Sequence, residues 1–221
     1  MLTTLTMLAF ANIVTNRFLP NWAYVPWNVG VGVGIIWVAR HEVTLTEMGF
    51  TRWRRGLQWG AALFGITGLV LLVGLALPLT HDMFHDKRVA ASEWAWFYHS
   101  MIRIPLGTAF LEETAFRAVL PALLAVRWGV VRGCVGASAL FGLWHVLPSL
   151  GLHRVNPTIT NLVGTGAGST VMTVLLAVCG TSATGLLWCW MRYRSGSILA
   201  TMLGHVATNS IAYTIAFWIA P

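Results

Sequence analysis

Seven long apolar blocks constrain the fold of this chain more than any other feature of its sequence. They lie near 1–16, 22–39, 57–79, 94–126, 128–150, 169–191 and 196–219. A helix that crosses a bilayer needs about 20 apolar residues, and most of these blocks reach that length. Only 10% of the 221 residues are charged, whereas a soluble domain carries about 25%. We therefore predict an all-α, polytopic membrane bundle of about seven transmembrane helices, with residues 1–221 forming a single integral membrane domain.

The basic residues between the blocks predict how the bundle is oriented. One set of helix ends is flanked by Arg40, Arg52, Arg54, Arg55, Arg127, Arg132, Arg192 and Arg194, and the other by Arg17, Lys87, Arg88 and Arg154. Cytoplasmic loops carry the excess of Arg and Lys, so eight basic residues against four place the N-terminus in the cytoplasm and the C-terminus outside. The same distribution accounts for the net charge of +7 without a nucleic-acid partner. One Lys against thirteen Arg favours a GC-rich, bacterial source.

Several segments carry predictions of their own. Segment 41–56 mixes aromatic and charged residues, which is typical either of a short amphipathic element on the membrane surface or of a solvated loop. Block 94–126 is long for one crossing, so we expect it to extend beyond the hydrocarbon or to break near Pro105. Loop 151–168 is expected to be an external connector. No basic residue precedes Arg17, so we expect the first block to be a retained span rather than a signal peptide.

The stretch LEETAFRAVL, residues 111–120, places three charged side chains inside an apolar block. A charge at mid-bilayer costs about 2.5–3.5 kcal/mol on insertion scales, so such residues need partners. Glu113 and Arg117 are four residues apart on one helix face, and we predict that they form a structural ion pair. Glu112 is turned about 100° away around the helix and therefore faces different surroundings.

Two later blocks carry polar residues with the same spacing. FGLWH places Phe141 and His145 on one helix face, and GHVATN places His205 and Asn209 on another. A single intramembrane histidine is often only a hydrogen-bonding residue between helices. However, buried polar groups need partners, and lipid supplies none. The combination with Glu112 therefore predicts that three helix faces converge on one water-filled cavity.

Two kinds of chemistry suit this set of side chains. A carboxylate beside an imidazole can activate water as a general base, and His205 with Asn209 can donate hydrogen bonds to an oxygen that gains negative charge. Together these functions describe hydrolysis of an amide or ester. Alternatively, Glu112, His145 and His205 could hold one divalent metal ion, zinc being the expected one, whose bound water would be the nucleophile.

A second group of possible metal ligands lies outside these blocks. HDMFH, residues 81–85, has histidines at its first and last positions, with Asp82 and Asp86 beside them. This spacing is compatible with a surface metal site. An ordinary solvated loop explains it equally well chemically, and we expect that loop because no further cluster of ligands accompanies it.

The three motifs resemble those of the CPBP family, the CAAX-protease, bacteriocin-processing and Abi-like intramembrane proteases. The family has EExxxR, FxxxH and HxxxN in this order on successive spans, and here they read EETAFR, FGLWH and HVATN. The resemblance covers about 94–215, which we therefore interpret as the catalytic core. The helices within about 1–80 are interpreted as accessory.

What the resemblance implies is a cavity that opens to the cytoplasm and an intramembrane endopeptidase acting on membrane-associated proteins or peptides. By analogy with the family, Glu112 and His145 activate water, His205 and Asn209 stabilise the oxyanion, and Glu113, Arg117 and Phe141 shape the site. A zinc-dependent and a metal-free glutamate mechanism both remain open. The resemblance does not assign specificity for prenylated substrates.

Two other classes of function compete with an endopeptidase. One is a non-catalytic immunity or scaffold protein that keeps the fold and uses its cavity for binding. The other is a proton-coupled carrier with Glu112 and His145 as its relay. The absence of internal repeats in the sequence disfavours the carrier.

Overall fold

The apolar blocks of the sequence form the helices of the protein. The computed structural model describes residues 1–85, 89 and 92–219, and no β-strand occurs among them. The long helices are α1 (Leu2–Arg17), α2 (Tyr24–Ala39), α3 (Trp53–Ala76), α4 (93–128), α5 (Val130–Trp144), α6 (Ser169–Ser195) and α7 (198–219). Short helical segments lie at Asn21–Ala23, Pro78–His81, Asp82–Phe84, Val146–Ser149, Leu152–Arg154 and Pro157–Val163. The last two belong to loop 151–168, which is therefore partly helical.

Four helical segments in the described residues are long and apolar enough to cross a membrane. They are Asn21–Ala39, Trp53–Ala76, Val130–Ser149 and Ser169–Ser195. Helix α1 has 16 residues, fewer than the roughly 20 that a perpendicular crossing requires. The all-helical membrane character is confirmed, whereas the count of seven spans stays a prediction. Of the basic residues used to orient the bundle, Lys87 and Arg88 lie outside the described residues.

Helix α4 alternates between two types of helical hydrogen bonding. Its parts are Glu93–Phe97 (α), Tyr98–Ala109 (π), Phe110–Glu113 (α), Thr114–Val119 (π) and Leu120–Trp128 (α). The expected break near Pro105 is wrong, because the helix runs on through this residue. Proline lacks an N–H and clashes with the carbonyl four residues earlier in an α-helix. In the π-helical stretch that carbonyl is not the regular acceptor, since hydrogen bonds run to the fifth residue.

Two glycines bring helices close to the segments that carry the polar motifs. Gly32 of α2 contacts the ring of Phe110, so that a Cβ at this position would lie 2.6 Å from a ring carbon. Gly204 of α7 contacts the indole of Trp188 in the same way, with a Cβ distance of 2.6 Å. Small residues permit such close helix approach in membranes. They place α2 beside the glutamates of α4, and α6 beside His205.

Segment 41–56 is neither a surface helix nor a solvated loop throughout. Val43 and Met48 are buried in the main hydrophobic core, and α3 begins at Trp53. The N–H and the hydroxyl of Thr44 donate hydrogen bonds to Glu47 Oε2 at 2.7 and 2.8 Å. These two bonds hold the pKa of the Glu47 carboxyl below its usual value, and the bond from the backbone N–H has the larger effect. The sequence pattern did not indicate that Val43 and Met48 belong to a turn packed into the core.

This turn is bound to the junction between α6 and α7. Arg192 is buried and donates a hydrogen bond to the backbone carbonyl of Glu47. The N–H of Ile198 donates to the carbonyl of Gly49 at 2.9 Å. Arg192 is therefore a packing residue as well as one of the basic residues at a helix end.

We expect Gly204→Ala to destabilise the protein by about 1–3 kcal/mol, because the new methyl group overpacks the contact with Trp188. The measurement is thermal unfolding of the detergent-solubilised protein. Gly65→Ala is the matched control, because a Cβ at Gly65 has nothing within 4 Å and alanine favours the helix. Equal melting temperatures for Gly204→Ala and Gly65→Ala would contradict the packing described above.

Candidate active site

The two glutamates of α4 face different surroundings, as their angular separation on the helix predicted. The side chain of Glu113 is completely buried, whereas Glu112 retains 8% of its accessible surface. Glu112 lines a cavity inside the bundle. Both residues end the short α-helical segment Phe110–Glu113 between two π-helical stretches. Such stretches occur frequently at functional sites.

Glu113 binds two partners on two helices. The predicted ion pair with Arg117 is present, with 3.6 Å between Arg117 Nε and Glu113 Oε2. The other oxygen, Oε1, lies 2.8 Å from Nδ1 of His205 on α7. A carboxylate only accepts hydrogen bonds, so Nδ1 of His205 carries the proton of this bond. Glu113 therefore connects α4 with α7 in addition to pairing within its own helix, which the sequence did not predict.

Arg117 lies over the face of Phe141. The guanidinium carbon is 3.8 Å from the ring centroid, and the side chain is completely buried. None of its three nitrogens has a hydrogen-bond acceptor among the described residues. Its charge is therefore stabilised by the nearby Glu113 carboxylate and by a desolvated cation–π contact, which is worth about 2 kcal/mol or more.

Glu112 is held by an indole and lies close to an imidazole. Trp144 Nε1 donates a hydrogen bond to Glu112 Oε1 at 3.1 Å. Glu112 Oε2 lies 3.7 Å from His205 Nε2. Because His205 Nδ1 donates to Glu113, the two ring nitrogens of this histidine face the two successive glutamates. The structure thus brings Glu112, Glu113 and His205 together in one polar group.

His145 lies where α5 ends, and the local backbone determines which of its nitrogens is free. The backbone N–H of His145 donates to the carbonyl of Gly142, three residues earlier, instead of to Phe141 as in a regular α-helix. The Phe141 carbonyl lies 2.9 Å from His145 Nδ1 and can only accept a proton. In the neutral imidazole Nε2 is then the acceptor nitrogen. The rings of Phe141 and His145 also touch edge to face, with 4.6 Å between centroids.

One cavity of about 760 Å³ is lined by three of the four residues predicted to be catalytic. Glu112, His145 and Asn209 line it, and Trp144 lines it beside them. The side chain of Asn209 has no hydrogen-bond partner in the described part of the chain, so its amide is free to bind a ligand. His205 is buried behind Glu112 and does not line the cavity wall. The predicted convergence of three helices is thus observed, with His205 set deeper than the other residues.

The residues proposed as zinc ligands do not form a closed set in this arrangement. Among the described residues, the group whose possible ligand atoms all lie within 4.8 Å of one another is His81, Asp82 and His85. Glu112, His145 and His205 do not meet this distance. Ligands of one zinc ion, each about 2.0–2.2 Å from the metal, have to lie closer together. The placement of the three side chains therefore does not fit a single ion, and zinc binding stays a prediction.

The cluster at 81–85 is solvent-exposed and local in sequence. Asp82 Oδ1 lies 3.6 Å from His81 Nδ1 and 3.8 Å from His85 Nδ1, and the two imidazole rings are 5.1 Å apart. Asp86, which the sequence offered as a further ligand, lies outside the described residues. The cluster is compatible with a surface ion, and no second feature of the described residues points to one.

Several residues of the site were not found from sequence. Trp144 orients Glu112, and the side-chain amide of Asn12 on α1 donates to the carbonyl of Trp144 at 3.0 Å. Helices α1 and α2 also supply part of the cavity wall. The residues concerned are Thr15, Asn16, Tyr24 and Asn28. Asparagines inside apolar helices were the available signal, since they too require partners in a membrane.

Comparison with known proteins identifies one family. The family model described as Type II CAAX prenyl endopeptidase Rce1-like matches residues 94–211. This range contains α4, α5 and α6 and the part of α7 that carries His205 and Asn209. No curated protein and no solved structure matches the chain.

We expect Glu113→Ala to lower the stability of the folded protein by about 3–5 kcal/mol, because it leaves Arg117 as a buried charge without its carboxylate. The measurement is thermal unfolding in detergent. Glu112→Gln is the matched control on the neighbouring position, where the amide oxygen still accepts from Trp144. An unfolding temperature of Glu113→Ala equal to that of the parent would contradict the structural role.

A double variant tests whether Arg117 is the reason for that loss. In Glu113→Gln/Arg117→Met both charges are removed, so no unpaired buried charge remains. We expect this variant to melt above Glu113→Gln alone. A simple sum of the two single effects would show that the two side chains act independently.

Proposed function

The chain belongs to the Type II CAAX prenyl endopeptidase Rce1-like family, a family of intramembrane endopeptidases, and from this membership and its site we propose how it acts. The substrate is a membrane-associated protein or peptide, and the reaction is hydrolysis of a peptide bond. Glu112 and His145 activate the attacking water, and Asn209 stabilises the oxyanion. The oxyanion role predicted for His205 would require its side chain to reach the cavity from its place behind Glu112. Glu113, Arg117 and Phe141 hold these groups in place.

One observation carries the proposal more than any other. Glu112, His145 and Asn209, from three helices, line a single cavity. The Phe141 carbonyl leaves Nε2 of His145 as an acceptor nitrogen. A base, a hydrogen-bond acceptor and an amide donor around one cavity are the elements that water-mediated amide hydrolysis requires.

The reaction follows from these groups in two steps. A water molecule held by His145 Nε2 gives a proton to the Glu112 carboxylate as its oxygen attacks the substrate carbonyl carbon. The resulting oxyanion accepts a hydrogen bond from the Asn209 amide. The carbonyl then re-forms as the C–N bond breaks, and Glu112 returns its proton to the leaving nitrogen, which yields one carboxylic acid and one amine. Transfer of the acid proton to the amine gives a carboxylate and an ammonium group as the final products.

His205 has a second role in this scheme because of its position. Its Nδ1–H is bound to Glu113, and its Nε2 lies near Glu112. It can donate from Nε2 when both ring nitrogens are protonated. A protonated His205 would place a positive charge between the two carboxylates and so lower their mutual repulsion. This supports His205 as the residue that couples the structural glutamate to the catalytic one.

We also propose that the protein lies in a bacterial cell membrane with a cytoplasmic N-terminus. The support is the excess of arginine at one set of helix ends. Arg192 is one of the eight residues in that set, and its side chain is bound to Glu47. Without it the count is seven against four, and the inferred orientation is unchanged.

We expect Glu112→Gln to lower the rate of peptide cleavage at least 100-fold without lowering the melting temperature, because a general base contributes about 10²–10⁴ in rate. The measurement uses purified protein in liposomes with prenylated and unprenylated CAAX-type peptides. Glu93→Gln is the matched control: the same substitution at an exposed position of the same helix. Cleavage that persists in Glu112→Gln would remove Glu112 from this role. Absence of cleavage by the parent would instead favour the non-catalytic binding protein.

A separate experiment tests whether cleavage requires a bound zinc ion. Active protein is analysed for bound zinc, treated with a membrane-compatible chelator, dialysed and assayed again. For the metal-free glutamate mechanism we expect less than one zinc per ten molecules and unchanged cleavage after chelation. Loss of activity that zinc alone restores would show that Glu112, His145 and His205 move together around an ion.

A further inference from the structure

A second cavity adjoins the active-site cavity. It has a volume of about 600 Å³ and lies between α3, α4 and α7. Its walls are largely apolar, with Val70, Leu71 and Ile104 among the residues that form them. Two residues line both cavities, Arg103 and Asn209. The two side chains therefore lie where the cavities adjoin.

Arg103 is a cation inside α4 without a carboxylate partner. No ion pair of Arg103 occurs among the described residues, and its Nε is buried without a hydrogen-bond acceptor there. Its guanidinium lies over the ring of Tyr24 at 3.8 Å. The Tyr24 hydroxyl is itself hydrogen-bonded with Thr108 at 3.0 Å. One face of Arg103 is therefore covered by a fixed aromatic ring, while its side chain borders both cavities.

This environment is that of a binding residue rather than of a packing residue. Arg117, another arginine of α4, has Glu113 at 3.6 Å and is completely buried. Arg103 has no such carboxylate, yet it occupies a helix in which an unpaired charge is costly. A guanidinium that presents its N–H groups to a cavity is suited to bidentate binding of a planar carboxylate.

The distance between Arg103 and Glu112 sets a length for the ligand. The two residues lie nine positions apart on one helix. Nine α-helical positions would rise about 13 Å, and the π-helical stretch that contains Arg103 rises less per residue. An extended peptide covers about 3.3–3.6 Å per residue. The axial separation of the two residues therefore corresponds to a short extended peptide of no more than about four residues.

We propose that Arg103 binds the C-terminal carboxylate of the substrate and thereby selects a peptide bond at a fixed, short distance from that end. The inference rests on the proposed peptidase function and names the residue that determines which peptide bond is cut. A CAAX-type substrate ends in a free carboxylate, and the residues that act on the scissile bond leave this group without a partner. Tyr24 keeps the guanidinium oriented, so that α2 contributes to specificity although it lies outside the family match.

The first test compares two peptides that differ only at the C-terminus. One CAAX-type peptide ends in a free acid and the other in a primary amide. For the parent we expect kcat/KM to be 10- to 100-fold higher for the acid, the range of a hydrogen bond to a charged group. Arg103→Gln should lower cleavage of the acid to the level of the amide. Arg127→Gln is the matched control, an exposed arginine near the end of the same helix, and should keep the preference.

The second test follows the cleaved bond. The acid peptide is extended by one residue at its C-terminus, and the products are identified by mass spectrometry. If the carboxylate is the reference point, the cleaved bond moves one residue toward the new end. In Arg103→Gln this relation should be lost, and several bonds should be cut. If the parent protein cuts the extended peptide at the same bond as the original peptide, the proposal is wrong.

A binding experiment distinguishes failure of this inference from failure of the proposed peptidase function. The acid and amide peptides are titrated against Glu112→Gln protein in phosphatidylcholine nanodiscs, where no cleavage is needed. We expect 10-fold or tighter binding of the acid, lost in Arg103→Gln and kept in Arg127→Gln. Equal binding of acid and amide overturns the role of Arg103, even if cleavage is observed. An Arg103-dependent binding of phosphatidylglycerol without any preference for the acid would assign the residue to a lipid phosphate instead.

Discussion

The fully buried carboxylate of Glu113 is the group on which the rest of the site depends. It accepts a hydrogen bond from His205 on α7 and pairs with Arg117 one turn further along α4. Removing such a charge from water costs several kcal/mol, which only close partners offset. The resulting contact fixes the rotation of α4 relative to α7. Glu112 is then directed to the cavity, because it precedes Glu113 on the same helix.

The same contact gives two adjacent glutamates different surroundings. Glu113 is surrounded by Arg117 and His205 and is closed to water. Among the described residues Glu112 has one hydrogen bond, from Trp144, and its second oxygen faces His205 at 3.7 Å. A base must exchange protons with substrate and water, which a completely enclosed carboxylate cannot do. The difference in burial therefore supports the proposal that Glu113 is structural and Glu112 is the base.

Local spacing allowed part of this arrangement to be predicted from sequence. The pair of Glu113 with Arg117 and the contact of Phe141 with His145 both follow from residues four apart on one helix. The membrane class followed from the apolar blocks. Contacts between helices could not be predicted in this way, because no spacing rule states which helix faces which. The bond from Trp144 to Glu112 and that from His205 to Glu113 are of this kind.

Other differences between the sequence-based predictions and the structure also have specific physical causes. The π-helical stretches of α4 and α7 depend on packing and not on a residue pattern, so a break near Pro105 stayed one of two possibilities for block 94–126 in the sequence. The turn around Met48 looked polar in sequence because its few apolar residues are surrounded by charged ones. Arg103 carried a usable signal, an ionisable residue inside an apolar block without an acidic residue four positions away. Its place at the border of two cavities could be recognised only in the structure.

The N-terminal helices have a more direct part in the site than the term accessory implies. Asn12 of α1 fixes the carbonyl of Trp144, and Trp144 fixes Glu112. Tyr24 of α2 covers Arg103, and Asn28 lines the cavity. The family match begins at residue 94, so these walls belong to this chain rather than to the shared core. The groups proposed to act on the peptide bond lie within residues 94–211, whereas the shape and polarity of the cavity also depend on α1 and α2. Differences in substrate between members of one family can then arise in these helices without any change to the glutamates and histidines.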